Sequence, residues 1–245
     1  MGYTAEVITL AIDTSEKRGS VAVRKDGHRA ALRRHESSED YSSWLLPAAA
    51  ACLGEAGLGM QGVDLLAVST GPGSFTGVRV GLTTVKAWSE VYGKRVVGVS
   101  RLEAMARCTE VEAPFVAACY DAQRGQIFAA IYRCKDGGLE RIEEEMVVEA
   151  ANFLAMAGRA AGRERIAWVT LDPELITGVE GWETRAGIGD SVIRVEGELA
   201  DKVGELAEER ARKQEFTDPM ELDANYVRRS DAEILWKGPA AGHGR

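Results

Sequence analysis

No stretch of this 245-residue sequence approaches the roughly 18 consecutive apolar residues that a membrane-spanning helix requires. The first residues, Met1 to Glu6, also lack a basic segment followed by a long apolar run, which is the pattern of a secretory signal peptide. We therefore expect no membrane association and a cytoplasmic location.

Cysteine and histidine are scarce, and their spacing does not indicate a site. The sequence contains four cysteines and three histidines: Cys52, Cys108, Cys119, Cys134, His28, His35 and His243. No two cysteines form a C-x-x-C pair, and no histidine shares a metal-like spacing with a cysteine, aspartate or glutamate. A chain of this length also needs no disulfide staples. We interpret the cysteines as small buried apolar residues and predict no metal site.

Excess positive charge is lacking as well. The formal net charge is −8, while 45% of the residues are hydrophobic and 28% are charged, which is typical of a globular protein. Phosphate contacts dominate the affinity of proteins for nucleic acid, so an acidic chain is a poor main binder of RNA. A local basic patch could still touch RNA, but another subunit would have to supply most of the positive surface.

The first half of the sequence alternates strand and helix patterns. Short apolar runs bounded by turn residues predict strands, and longer runs with capping residues predict helices. Asp26-Gly27 is a strong tight-turn dipeptide. The predicted strands are 7–12, 19–24, 28–35, 65–69 and 95–99, and the predicted helices are 42–53, 78–92 and 100–107. This order of three meander strands followed by strand–helix units indicates a mixed sheet covered by helices.

The second half has the same order of predicted elements, a meander followed by a helix and a strand, although its amino-acid sequence does not repeat that of the first half. Strands are predicted at 115–120, 126–133, 139–148 and 166–170, with helices at 150–161 and 196–213. The stretch 171–192 has no clear period. We therefore predict an N-terminal lobe over residues 1–110 and a C-terminal lobe over residues 111–245, with a tail from about residue 216 that could pack back on the first lobe.

The glycine-rich loop from Gly71 to Gly77 is the sharpest motif. It lies between a buried strand and a helix start, where backbone N–H groups favour an anion. It matches neither the P-loop nor the dinucleotide pattern, and Ser74 lacks the flanking glycines of a nucleophile elbow. Three interpretations stay open: a tight turn, a degenerate phosphate contact through Gly71, Gly73 and Ser74, or a contact with a partner.

Asp13, Thr14 and Ser15 follow the first predicted strand. A carboxylate there could approach a metal–nucleotide and the hydroxyls could approach phosphate, although a local side-chain turn explains the same residues. Asp121 and Arg124 could likewise form an ion pair or belong to a hairpin turn. The sequence contains no evident pair of catalytic carboxylates and no Ser/His/Asp or Cys/His set. We therefore predict no catalytic residue.

Two predicted helices are rich in small side chains. One carries four successive alanines, Ala48 to Ala51, and the other carries Gly81, Thr83, Thr84 and Ala87. Small residues let helices approach closely, so these helices could form an interaction surface. Ordinary packing against the sheet explains the same composition.

Four segments resemble markers of the TsaB (YeaZ) family. They are Leu10 to Ser15, Ser69 to Gly81, Asp121 to Ile127 with Ala129 and Ala130, and Tyr226 to Arg229. The resemblance implies an α/β fold of the actin-like ASKHA (ribonuclease H-like) type. Its two lobes would each contain a mixed β-sheet, with an antiparallel meander plus parallel strands, and flanking helices. Residues 171–215 match nothing in the family that we can identify.

The resemblance also implies a role. Members of the family act with TsaD, the related catalytic subunit, and with the ATPase TsaE. The complex transfers a threonylcarbamoyl group to N6 of adenosine 37 in tRNAs that read codons beginning with A. TsaD carries a His-x-x-x-His metal site that this sequence lacks. We therefore expect a non-catalytic accessory subunit without a cofactor of its own. ATP and metal would reside on the partner subunits, and tRNA would be contacted only indirectly.

The resemblance places the partner interface on the first two helices, about residues 41–53 and 78–88. The same surface could close on itself as a homodimer, so homodimer and heterodimer should compete. The implied interface residues are Tyr41, Leu45, Ala49, Arg79, Leu82, Thr83 and Lys86.

An alternative is a stand-alone ASKHA-type kinase or ATPase. It would bind nucleotide through Asp13, Thr14, Ser15, Gly71, Gly73 and Ser74. Family members have also been described as relatives of peptidases, but no residue pattern in this sequence supports peptide cleavage.

Overall fold

The computed structural model describes residues 7–36, 39–109 and 112–227, and within these ranges the chain forms two β-sheets. The first sheet has the order β3-β2-β1-β4-β5, antiparallel across the meander and parallel from β1 to β5. Its strands are β1 (Ile8–Asp13), β2 (Ser20–Lys25), β3 (His28–Arg34), β4 (Leu65–Ser69) and β5 (Arg95–Val99). The helices of this half are α1 (Tyr41–Glu55), α2 (Phe75–Tyr92) and α3 (Arg101–Ala106).

The second sheet repeats this mixed topology. Its strands are β6 (Phe115–Asp121), β7 (Ile127–Lys135), β8 (Gly138–Arg141), β9 (Met146–Val148), β10 (Ile166–Thr170) and β11 (Ser191–Arg194). The order is β11-β10-β6-β7-β8, with β9 also paired to β7. The helices are α4 (Ala150–Ala161), α5 (Glu174–Thr177), α6 (Trp182–Ile188) and α7 (Ala200–Arg212). The predicted fold class, two mixed sheets with flanking helices, is confirmed.

Strands β1, β2 and β4 are buried on both faces, which explains why they read as largely apolar runs, whereas the edge strand β3 is mostly exposed. Successive side chains of a strand point to opposite faces. Leu10 and Ile12 pack with α1 and α2, whereas Ala11 packs in a second core with α7 and the second sheet. Asp13 is also fully buried, at the end of β1.

Helix α7 comes late in the chain but packs against the first sheet, where it contacts β1, β2, β4 and β5. The segment that follows it runs along the same sheet: Thr217 pairs with Val96, and Leu222 is buried in the core beneath α1 and α2. The sheets themselves separate between β5 and β6. The lobe boundary at residue 110 stays a prediction.

Local details differ from the sequence-based expectations. Helix α1 begins at Tyr41, one residue before the predicted start, without a side-chain cap, and Pro47 lies in its second turn. Pro47 faces solvent, where the backbone oxygen that loses its N–H partner can bond to water. The predicted strand 139–148 is two strands, β8 and β9, separated where Glu145 turns into the interior. Residues 171–192, which had no clear period, contain α5 and α6.

Among the described residues, no helix has both the length and the apolar character needed to cross a membrane.

Breaking the ion pair that fixes α7 to β2 should destabilise the fold. Arg24 is buried, and its Nε donates to Glu208 at 3.0 Å. Removing Glu208 takes away one of the two carboxylate partners of Arg24 and leaves Asp201 as the other, so we expect Glu208→Ala to lower the free energy of unfolding by about 2 kcal/mol in urea titrations. The control is Arg212→Ala, because the Arg212 guanidinium is exposed and 3.9 Å from Glu208, and its removal should cost less than about 1 kcal/mol. Equal losses for the two variants would contradict the assignment.

Candidate cleft and docking face

A cleft of about 720 Å³ brings together all four motifs singled out in the sequence. Its walls are the turn after β1, the glycine-rich loop, the turn after β6, and tail residues 225–227. Of the six predicted nucleotide-binding residues, Ser15, Gly73 and Ser74 line the cleft directly. The other three, Asp13, Thr14 and Gly71, lie behind them and are buried.

The glycines of the loop let its backbone approach the turn after β1. Ser74 N donates to the backbone oxygen of Ser15 at 2.7 Å. A Cβ atom on Gly73 would stand 2.0 Å from that same oxygen, and the φ of Gly73 is 155°. Ser74 then caps α2, its Oγ accepting from the N–H of Gly77 at 3.3 Å. These contacts favour the tight-turn interpretation of the loop.

Gly77 makes the second close approach. A Cβ atom there would lie 2.1 Å from the backbone oxygen of Thr14. The Thr14 hydroxyl donates to the backbone oxygen of Gly77 at 2.7 Å. The first turn of α2 and the end of β1 are therefore interlocked through backbone atoms, which fixes the position of α2.

Both carboxylate oxygens of Asp13 accept hydrogen bonds from groups inside the protein. Oδ1 accepts from the N–H of Ser15 at 3.1 Å and from the Ser15 hydroxyl, while Oδ2 accepts from Arg101. The side chains of Asp13 and Arg101 are both fully buried. Asp13 lies behind the wall of the cleft and is not part of its lining. Nucleotide binding by this group of residues stays a prediction.

The opposite wall is formed by the end of β6. The Tyr120 hydroxyl donates to the backbone oxygen of Pro72, which joins the second sheet to the glycine-rich loop. Asp121 accepts from the backbone N–H of Gln123 at 2.8 Å and from its side-chain amide at 2.7 Å. Gln123 and Arg124 adopt positive φ angles of 66° and 60°. These features favour the hairpin-turn interpretation of Asp121 and Arg124.

The tail is anchored by Asn225. Its N–H donates to the backbone oxygen of Thr70 at 2.8 Å, and its side-chain amide donates to Glu145. Glu145 also accepts from the Ser100 hydroxyl. Burial raises the pKa of Glu145 above its ordinary value, against the opposing effect of these hydrogen bonds and of Arg141. Glu145 thus joins both sheets and the tail.

Tyr226 lines the cleft beside Phe75. Its ring lies 5.3 Å from that of Phe75, and its hydroxyl accepts from Arg79 Nε at 2.7 Å. The Arg79 guanidinium also lies 3.7 Å above the Phe75 ring. Val227 follows in the cleft wall, whereas the other two residues of the fourth marker, Arg228 and Arg229, lie outside the described residues.

A shallow groove lies between α1 and α2. Its volume is about 500 Å³, and it meets the cleft at Phe75. The side chains that line it and reach solvent are those of Ser42, Leu46, Phe75, Thr76, Arg79, Val80, Thr83 and Thr84. This exposed surface is called the docking face below.

The predicted interface residues divide into two groups. Arg79 and Thr83 are exposed on the docking face. Tyr41 and Lys86 are partly buried, and the Tyr41 hydroxyl donates to the backbone oxygen of Glu16. The remaining three, Leu45, Ala49 and Leu82, are at most 5% exposed in the core between the helices and the sheet. Leu45 also lines the groove from beneath, and the assignment of these three residues to a partner surface stays a prediction.

The described residues contain no group of three or more His, Cys, Asp or Glu side chains arranged to hold a metal ion. Burial raises the pKa of Cys119 to about 12 and that of Cys108 to about 11, so these thiols stay protonated at neutral pH. Neither thiol therefore resembles an activated nucleophile.

Comparison with known proteins agrees with this architecture. The family described as TsaD, tRNA N6-adenosine threonylcarbamoyltransferase, matches residues 35–172, more than half of the chain. The chain is 30% identical over 147 residues to the tRNA threonylcarbamoyladenosine biosynthesis protein TsaB of Bacillus subtilis, covering 60% of this chain and 64% of that protein. It is 29% identical over 177 residues to TsaB of Escherichia coli, covering 71% and 72% of the two chains.

The structure of YeaZ from Pseudomonas aeruginosa has the same fold. It superposes with a TM-score of 0.71 at 24% identity, covering 90% of this chain and 99% of that one. The match to the Bacillus subtilis relative spans slightly less than two thirds of that protein's length.

Two mixed sheets with flanking helices around a cleft define a protein of the actin-like ASKHA class. The chain belongs to the family whose model is described as TsaD. Its similarity to the TsaB and YeaZ proteins supports assignment to the TsaB (YeaZ) family.

Replacing Gly77 should disrupt the contact between α2 and β1. The Cβ of Gly77→Ala would collide with a backbone atom that cannot move aside, so we expect a loss of about 2 kcal/mol in the free energy of unfolding. Gly54→Ala is the matched control, because Gly54 is also helical and has no heavy atom within 4 Å of an added Cβ. It should stabilise the protein by up to about 1 kcal/mol. A stabilising Gly77→Ala would refute the interlock.

The raised pKa of Glu145 predicts a pH effect. Burial raises the pKa of Glu145 in the folded protein, so the folded state binds this proton more tightly than the unfolded state. The resulting stabilisation is fully present below the unfolded-state pKa and is lost as pH rises through the raised folded-state pKa. In urea titrations between pH 4 and pH 7, Glu145→Gln should therefore gain stability relative to the wild type as pH rises. The control, Glu144→Gln, alters an exposed side chain, and its difference from wild type should stay flat. A flat difference for Glu145→Gln as well would reject the prediction.

Proposed function

We propose that this chain is the non-catalytic accessory subunit of a complex that forms N6-threonylcarbamoyladenosine at position 37 of tRNAs that read codons beginning with A. It acts by binding and activating a TsaD-type catalytic subunit. The supporting comparison is the relationship to proteins named for threonylcarbamoyladenosine biosynthesis. The observation that carries the docking role is an exposed, partly apolar groove between α1 and α2.

The composition of the docking face suits a protein partner. Leu46 is 52% exposed and Phe75 is 41% exposed, although large apolar side chains are normally buried. Contiguous exposed apolar surface with a polar rim is typical of an interaction site. Thr83 and Thr84 are small enough for the partner's helices to pack closely against α2. A second copy of this chain would use the same face in a two-fold homodimer, in competition with the heterodimer.

The division of labour in the proposed complex follows from the chemistry of this chain. Both oxygens of Asp13 are held by groups of the protein itself, and the buried thiols stay protonated. ATP and metal would therefore be handled by the TsaD-type subunit and by a TsaE-type ATPase. With a net charge of −8, the chain would contact tRNA only through its partners, in the cytoplasm.

Assays of tRNA modification and of Mg–ATP binding distinguish the accessory-subunit proposal from the alternative of a stand-alone kinase or ATPase. The purified chain should form no threonylcarbamoyladenosine by itself and should restore the activity of a TsaD-type subunit when added to it. Modification of tRNA by the isolated chain, or tight Mg–ATP binding lost in Asp13→Ala, would support the alternative instead.

Charge introduced on the docking face should block the complex. We expect Leu46→Asp and Thr83→Asp to weaken binding to the TsaD-type subunit at least about tenfold, because each buries an unpaired carboxylate in the contact. Binding is measured by titration calorimetry and complex size by light scattering, with thermal unfolding to show that the variants fold.

Val91→Asp is the matched control. Val91 lies on α2, the helix that carries Thr83, near its C-terminal end. It is 73% exposed and lies outside the groove. It should leave binding unchanged. Binding that survives Leu46→Asp and Thr83→Asp but is lost in Val91→Asp would place the interface elsewhere. Leu82→Asp is unsuitable for this experiment, because Leu82 is buried and the substitution would unfold the protein.

A further inference from the structure

Arg101 is a fully buried arginine at the start of α3, and it points to the end of β1. One guanidinium nitrogen donates to Asp13, and another donates to the backbone oxygen of Gly197 at 3.1 Å. The carbon of the guanidinium lies 5.3 Å from the ring centre of Tyr120. A charge at this depth is tolerated only when an opposite charge offsets the loss of hydration. Arg101 is therefore the counter-ion of Asp13.

The hydrogen-bond partners of the guanidinium are oxygen atoms. They are the Asp13 carboxylate and the backbone oxygen of Gly197, and the Ser15 hydroxyl lies one hydrogen bond further away, on the other oxygen of Asp13. Carboxylate, hydroxyl and carbonyl oxygens are the ligands that Mg²⁺ and Ca²⁺ prefer. Asp13 is also the carboxylate for which the sequence left a metal–nucleotide contact open. With Arg101 present, the residues do not fit such a group, because Asp13 offers no oxygen to the cleft.

We propose that Arg101 is an internal counter-cation that takes the place of a divalent metal ion at Asp13. A guanidinium stays protonated throughout the pH range in which proteins are folded, so the neutralisation is permanent and needs no ligand. The oxygen atoms that a cation would need at Asp13 are bound by the chain's own side chain.

The hydrogen bond from Arg101 to the backbone oxygen of Gly197 also connects two parts of the chain. Gly197 lies in the segment between β11 and α7, so the guanidinium joins the end of β1 to a segment that leaves the second sheet. The base of the cleft is thus fixed between the two sheets without a nucleotide. This inference concerns the buried base of the cleft and is independent of partner binding, so either proposal can fail without the other.

The test removes the guanidinium and offers a metal ion in its place. The variants are Arg101→Met, which keeps a side chain of similar length without charge, and the double variant Asp13→Asn/Arg101→Met, which removes both charges. Thermal unfolding is measured with MnCl₂ or MgCl₂ against KCl of equal ionic strength. Binding is followed directly by Tb³⁺ luminescence, because Tyr120 would lie close enough to sensitise an ion at the guanidinium position.

We expect no response of the wild type to divalent ions. Arg101→Met should melt about 10 °C lower than the wild type, should bind one Tb³⁺ that Ca²⁺ displaces, and should recover part of its melting temperature in Mn²⁺. The double variant should melt above Arg101→Met and show no response to metal ions, since the carboxylate is gone. Arg101→Lys, which keeps the charge, should also be insensitive to metal ions.

Three results would overturn the proposal: stabilisation of the wild type by divalent ions, destabilisation of Arg101→Met without any metal response, or an equal metal response in the double variant. A purely structural arginine would lower the melting temperature without creating a metal site. If Arg101→Met does not fold by itself, the readout becomes the refolding yield from urea with and without MnCl₂. The proposal then requires a higher yield with Mn²⁺ for Arg101→Met than for the double variant.

Discussion

The backbone contact between the end of β1 and the start of α2 sets the geometry of the rest. Because Gly73 and Gly77 carry no Cβ, the helix begins directly against the carbonyl groups of Ser15 and Thr14. This contact fixes α2 against the sheet, and α2 in turn presents one wall of the cleft and one side of the docking face. Phe75, in the first turn of α2, belongs to both surfaces. A single strand-to-helix junction therefore positions the two features that relate most directly to function.

Much of the fold could be predicted from local patterns. The strands of both sheets are short apolar runs between turn residues, and Ser100 caps α3 as its sequence context indicates. The glycine-rich loop was identifiable, because three glycines between a strand and a helix indicate close backbone approach. The split between β8 and β9 was not, because it depends on Glu145 reaching Ser100 and Asn225, which are 45 and 80 positions away. No local pattern encodes such contacts.

The candidate site shows the same limit. Asp13 stood out in the sequence, but Arg101, which determines what Asp13 can do, is 88 positions away in an ordinary helix start. The predicted interface residues include both exposed and buried side chains, for a physical reason. Four successive alanines make every face of α1 apolar, so spacing could not distinguish Ala49, against the sheet, from Ala50, in solvent. An actin-like scaffold with an internally neutralised carboxylate and an open helical groove is consistent with a protein whose contribution is shape and contact.

The position of α7 has a consequence for biosynthesis. The helix covers the inner face of β1, β2 and β4, yet it is made only after the entire second sheet. A ribosome-bound chain that ends before residue 200 would expose Ala11, Ala22 and Ala67 together with buried Arg24, whose carboxylate partners lie on α7. Such contacts of high sequence separation raise the entropic cost of folding and prolong the lifetime of incomplete, aggregation-prone species. The first sheet therefore cannot bury both of its faces until α7 has been made, after the last strand of the second sheet.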